Sequence, residues 1–126
     1  MRIKVITSDP VVHTKGLLRM LKHLDDREMS LSDLRILSAT LLEQRFTTEG
    51  VTVKELAKYT GLTVKEVERL IPALVETRHL SEKVPLFGEI RYRLGQTGQS
   101  FADAVRREYE RGIDEELHFR KDKKGK

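Results

Sequence analysis

Apolar residues recur at three- and four-residue steps over most of the chain and at two-residue steps in one short region, so the pattern predicts helices with a single hairpin. Leu17, Met20, Leu21 and Leu24 mark a first helix, with Asp9 as its cap, Pro10 at its first position and Asp25-Asp26 at its end. Leu34, Leu37, Leu41 and Leu42 place one stripe on a second helix that opens at Ser30-Leu31-Ser32-Asp33. After the turn at Glu49-Gly50, Val51 to Val53 reads as a brief strand, and Leu56, Leu62, Val67 and Leu70 then line two further helices. The period changes at Leu80. Leu80, Glu82 and Val84 fall on one side and Ser81 and Lys83 on the other, and Ile90, Tyr92 and Leu94 alternate with Arg91 and Arg93. Residues 80–94 therefore predict a hairpin around the loop Pro85 to Glu89, with Ile90, Tyr92 and Leu94 inward and both arginines outward. From a cap at Ser100, Phe101, Ala104, Val105, Tyr109, Ile113 and Leu117 form a narrow apolar seam on a last, long helix. At the amino end Arg2 to Ile6 reads as an edge strand or an extended arm.

The middle of this pattern carries a second signal. Thr-Val-Lys-Glu occurs at Thr52 to Glu55 and again at Thr63 to Glu66, each with the spacing of a capping box. The Thr hydroxyl accepts the N–H of the third helical residue while the Glu reaches back to the Thr N–H, so each copy can start a helix. The two starts lie eleven residues apart, and Gly61 supplies a left-handed position to end the first helix. Ala57 is small where the two axes would cross. A short helix, a glycine turn and a second capped helix resemble the DNA-binding helix-turn-helix.

The hairpin extends the resemblance. Arg91-Tyr92-Arg93-Leu94, followed by Gly98, looks like the closing strand of winged-helix regulators. With the helix-turn-helix it is similar to the multiple-antibiotic-resistance regulator (MarR) type, over about residues 30–117, although Gly95 stands where that family usually has Thr and Glu89 where it usually has Asp. The expected fold is mainly α with a small β-hairpin, an α+β winged helix-turn-helix. An N-terminal extension occupies 1–29, the winged domain 30–98, a C-terminal helix 99–119 and a basic disordered tail 120–126.

Composition narrows the function classes. The 126 residues suffice for one domain with a core of its own. Lys plus Arg exceed Asp plus Glu by 24 − 20 = 4, a mild excess compatible with a polyanionic partner. There is no cysteine, and His13, His23, His79 and His118 do not pair at metal-ligand spacing. No phosphate-binding glycine loop or nucleophile elbow occurs, so neither an enzyme nor a metal or cofactor protein is expected. No apolar run approaches the ~20 residues of a membrane span, and the chain reads as cytoplasmic.

The resemblance implies site residues and partners. It puts the second helix of the pair in a major groove of double-stranded DNA, where Thr63, Val64, Lys65, Glu68 and Arg69 would face the bases. Lys83, Arg91 and Arg93 of the wing would meet backbone or minor groove, and the helix capped by Thr52 could receive a phosphate. The terminal helix would build a homodimer through Phe101, Val105, Tyr109, Ile113 and Leu117; the alternative is that it folds back on its own domain. Three features stand against DNA: Glu66 and Glu68 add negative charge to the reading helix, Pro72 would bend its second half, and the wing tip Leu86-Phe87 is apolar. They motivate a rival reading, a winged helix that docks on another protein in a transcription or replication assembly, with Leu86 and Phe87 as the contact.

Overall fold

Doubled capping boxes and a change of period place most of the elements, and the computed structural model shows how they assemble. It describes residues 9–124, so the Arg2 to Ile6 run lies outside the described residues. The order is α1 (Pro10–Asp26), α2 (Leu31–Glu43), α3 (Val53–Thr60), α4 (Val64–Glu76), β1 (Leu80–Lys83), β2 (Arg91–Leu94) and α5 (Gln96–Lys124). The described residues form two compact units, one of Ser30–Ala102 and one that joins those up to Met29 with those from Asp103 onward.

The first of these is a winged helix-turn-helix. Thr52 Oγ1 accepts the Glu55 N–H at 3.2 Å and Glu55 returns a carboxylate oxygen to the Thr52 N–H at 2.9 Å. Thr63 and Glu66 repeat the exchange at 3.1 and 3.3 Å, so both helix starts are satisfied locally. Between them Gly61 ends α3 at φ 79°, a backbone position a side chain would strain. Ile36, Leu56, Val67, Ile71, Leu74 and Leu80 are buried together in this unit. Each such aliphatic side chain contributes roughly 1.5–3 kcal/mol when removed from water. Leu70, expected inside, is half-buried, and Ile71 takes the core position.

Helix α2 is rotated from the expected stripe. Its buried face is Ile36, Leu37, Ala39 and Thr40, whereas Leu41 and Leu42 are exposed. Small residues occupy the closely packed positions here, and Thr40 becomes compatible with burial because its hydroxyl donates to the Ile36 carbonyl at 2.7 Å.

The hairpin has the register Leu80↔Leu94, Ser81↔Arg93, Glu82↔Tyr92 and Lys83↔Arg91. Opposed residues share a face, so Ser81, Lys83, Arg91 and Arg93 lie on one side and Leu80, Glu82, Tyr92 and Leu94 on the other. Of the three residues assigned inward on β2, Tyr92 and Leu94 are buried, while Ile90 precedes the strand and is exposed. The brief strand expected at Val51 to Val53 reduces to one residue: Val51 exchanges both backbone hydrogen bonds with Tyr92, at 2.8 and 2.7 Å, and Val53 already belongs to α3.

Helix α5 starts and ends beyond its expected limits. It begins at Gln96 rather than Ser100, because Gly95 and Thr97 donate to the carbonyls of His79 and Arg78 at 2.9 and 3.1 Å and so fix the chain entering the helix. A Cβ at residue 95 would fall 2.2 Å from the Arg78 carbonyl oxygen, which is why glycine rather than threonine stands there. At its other end α5 continues to Lys124, so residues 120–124 are helical where a disordered tail was expected. Arg120 holds them: its guanidinium grips the Asp9 carboxylate and donates to Glu116 at 2.9 Å. That contact holds the Asp9 carboxyl down at about 2, the Arg120 hydrogen bonds being the main cause.

The second unit is thus a helix pair. Asp9, the cap of α1, meets Arg120 of α5, Arg19 meets Glu108 and Glu115, and His23 lies in the field of Glu108, so the two helices run antiparallel. They cross closely at glycines: a Cβ on Gly112 would lie 2.5 Å from the Lys15 carbonyl oxygen. Arg19 bridges Glu108 and Glu115 at 3.5 and 3.3 Å, and His13 hydrogen-bonds the Tyr109 hydroxyl. Ile113 is 0% exposed in the single chain, and Phe101 and Val105 are buried as well, with Tyr109 and Leu117 half-buried. Three of the five residues expected in the α5 seam are therefore buried within the single chain, and Tyr109 and Leu117 keep part of their surface.

Candidate nucleic-acid interface

Helix α4 presents two exposed surfaces, about 100° apart for successive residues on a helix of 3.6 per turn. Lys65 and Arg69, four residues apart, stand on one of them, exposed and without an ion pair among the described residues. Val64 and Glu68 stand on the other, with Ile71, Pro72, Val75 and Glu76 continuing it toward the wing. The helix runs through Pro72 to Glu76. Lys65 and Arg69 have the reach to contact phosphates or the guanine acceptors of a major groove.

The other expected contacts separate into free and committed groups. Thr63 donates its hydroxyl to Glu66 at 3.0 Å and accepts the Glu66 N–H, so its polar atoms serve the cap. Thr52 is buried, and its hydroxyl and N–H are both used by Glu55, which leaves the start of α3 with a carboxylate where a phosphate was expected. Glu66 is occupied by its cap, as the spacing implied. In the wing, Lys83 and Arg93 are exposed and have no ion pair among the described residues. Arg91 is different. Its Nη1 donates to the Gly50 carbonyl at 3.0 Å and lies 3.7 Å from Glu55, so this arginine braces the wing against the start of α3.

Between α4 and the wing lies a groove of about 810 Å³, floored by Val64, Ile71, Pro72, Val75, Ile90 and Tyr92. Four carboxylates line it: Glu68 and Glu76 from α4, Glu82 from β1 and Glu89 from the loop. The one basic residue lining it, Lys54, is 3.7 Å from Glu89. Burial, with the charges of Glu82 and then Glu68, pushes the Tyr92 phenol above its ordinary value of 10. Both carboxylates therefore act on the same ring. Of these residues only Val64 and Glu68 are expected site residues from the sequence; Glu76, Glu82, Glu89 and Lys54 are not. Their signal was present in the four-residue step from 64 to 68, 72 and 76, combined with the face that Glu82 shares with Tyr92.

The wing tip projects beyond this groove. Leu86 and Phe87 are 92% and 87% exposed, and Gly88 turns the chain back at φ 98°.

No protein-family model matches this sequence, and no curated protein does. Two solved structures share its fold. RV1404 from Mycobacterium tuberculosis superposes with a TM-score of 0.65 at 11% identity, over 91% of this chain and 75% of that one. The M. tuberculosis MarR family protein RV2887, solved in complex with p-aminosalicylic acid, superposes with a TM-score of 0.52 at 15% identity, over 87% of this chain and 77% of that one. With the paired helices, the left-handed glycine turn and the hairpin, these likenesses show that the chain has a MarR-like winged helix-turn-helix fold.

Proposed function

We propose that this chain is a cytoplasmic transcription regulator that binds a specific double-stranded DNA sequence as a homodimer, with no catalytic activity of its own. The carrying observation is the pair Lys65 and Arg69, exposed and unpaired among the described residues on the second helix of the helix-turn-helix. Helix α4 enters the major groove with this side toward the bases, and Lys83 and Arg93 of the wing meet the backbone. Thr52 and Arg91 act indirectly, by holding α3 and the wing in place.

For the dimer, Phe101, Val105 and Ile113 of the α5 seam are buried within the chain, and the exposed apolar residues of α1 join the half-buried Tyr109 and Leu117 at the interface. Val11, Leu18 and Leu21 recur at helical spacing and are exposed. Paired twofold through this stripe, two chains present their α4 helices to half-sites roughly 34 Å apart. Leu18→Glu with Leu21→Glu, both on the surface of the single chain, should sediment as a folded monomer with reduced DNA affinity. An unchanged dimer would remove α1 from the interface.

A second reading has its own observation, the exposure of Leu86 and Phe87 at the wing tip. It makes the chain a docking module for another protein. Titration of duplex DNA at rising salt separates the two. A linear fall of log affinity with log salt supports DNA binding. If no duplex binds at low salt while Leu86→Ser with Phe87→Ser abolishes a protein contact, the docking reading replaces it.

A further inference from the structure

The groove between α4 and the wing has a chemistry that DNA binding does not use. An opening of about 810 Å³ lies within the size range of small-molecule sites, and its floor is apolar. Val64 and Ile90, 42% and 38% exposed, leave much of that floor in contact with water. Around it stand Glu68, Glu76, Glu82 and Glu89, opposed by the single cation Lys54, which is already engaged by Glu89. Such a rim repels phosphate and organic acids alike. A ligand that covers the floor and satisfies the rim must carry an apolar body and a positive charge.

We propose that this groove binds a lipophilic organic cation, an ammonium or phosphonium centre on an aromatic or alkyl body. The body covers Ile71, Val75 and Ile90, and the charge sits among the carboxylates beside the Tyr92 ring, whose face attracts cations. A small ligand suits the site better than a peptide segment, because α4, the wing and the start of α3 bound the groove on three sides. All lining residues belong to Ser30–Ala102, so the site is complete within one winged domain. The inference goes beyond the DNA reading and does not require it.

The test uses the full chain, without DNA, and two probes of the same shape and opposite charge. Tetraphenylphosphonium should bind saturably, one per chain, and more tightly than tetraphenylborate by at least roughly tenfold, with methyl shifts at Val64, Ile71 and Ile90. Glu76→Gln with Glu82→Gln, two exposed positions, should keep the parent melting behaviour and weaken the phosphonium roughly five- to tenfold, as expected for two exposed charge contacts. Ile90→Ser should weaken both probes. Three results overturn the proposal: tetraphenylborate binding as tightly as the phosphonium, shifts confined to residues outside the groove, or no effect of the double glutamine variant. Saturable binding of a peptide that alternates Lys and Phe, with no phosphonium binding, overturns it as well and makes the groove a peptide dock. Since no nucleic acid is present, each of these outcomes leaves the DNA reading standing.

Discussion

The two sides of α4 differ in charge and in what they face. One carries Lys65 and Arg69 to solvent, while the other turns Val64 and Glu68 to the wing across a carboxylate-lined groove. The objection that Glu68 places negative charge on a DNA-reading helix is weakened by this division, because Glu68 belongs to the groove side. One helix can carry a basic and an acidic surface side by side if a neighbouring element claims one of them. The hairpin does so here. Its own faces repeat the division, with Lys83, Arg91 and Arg93 outward and Glu82 with Tyr92 inward.

Substitutions on either side sharpen the contrast. The largest effect is expected for Arg69→Ala, which should cost about 1–3 kcal/mol on a selected duplex and relax base preference, as read by competition binding. Arg93→Ala should weaken all duplexes alike and reduce the salt slope by about 1. The braced Arg91 should behave otherwise: Arg91→Ala should lower the melting temperature as well as DNA affinity, since it loses the Gly50 contact. Glu68→Gln should strengthen binding to every duplex by less than about 1 kcal/mol, the scale of one exposed charge interaction. A drop in affinity instead would put Glu68 on the base-reading side.

The smallest effect is spectroscopic. Tyr92 should ionise above 10, raised by its burial and by Glu82 and Glu68. Glu82→Gln should move it downward in an absorbance titration of the tyrosines. The sign of the linked stability follows: a raised phenol favours the folded state at lower pH, and its contribution is lost as pH rises from 10 through the folded value. Absence of any shift in the variant would separate Glu82 from the groove.

Much of this was legible in residue order because the signals are local. Both capping boxes, the turn at Gly61 and the alternation of Tyr92 and Leu94 with Arg91 and Arg93 depend on neighbours within a few positions, and they form as expected, with Ile90 alone left outside the strand. The phase of α2 was not legible. Leucine spacing pointed to Leu41 and Leu42, but burial falls on Ala39 and Thr40, whose fitness depends on how closely other helices approach. The α5 seam shows the same limit. Its period announces a partner and cannot say which chain supplies it, and Gly112 against Lys15 is the close approach that puts that partner within the same chain. The extent of α5 to Lys124 likewise rests on Arg120 meeting Asp9, a pairing of residues 111 positions apart. Among the site residues, the side chains of Lys65, Arg69, Lys83 and Arg93 are displayed, whereas the polar atoms of Thr52, Thr63 and Arg91 are committed; the capping spacing implied this for the two threonines, and side-chain geometry alone reveals it for Arg91.

Selection of bound duplexes from a random pool tests the central claim most directly. A twofold sequence with half-sites about one helical turn apart should be enriched, and the enrichment should be lost when Arg69 is replaced by Ala. A pool that stays unenriched at low salt, or a selected site that Arg69→Ala binds as well as the parent, would contradict it.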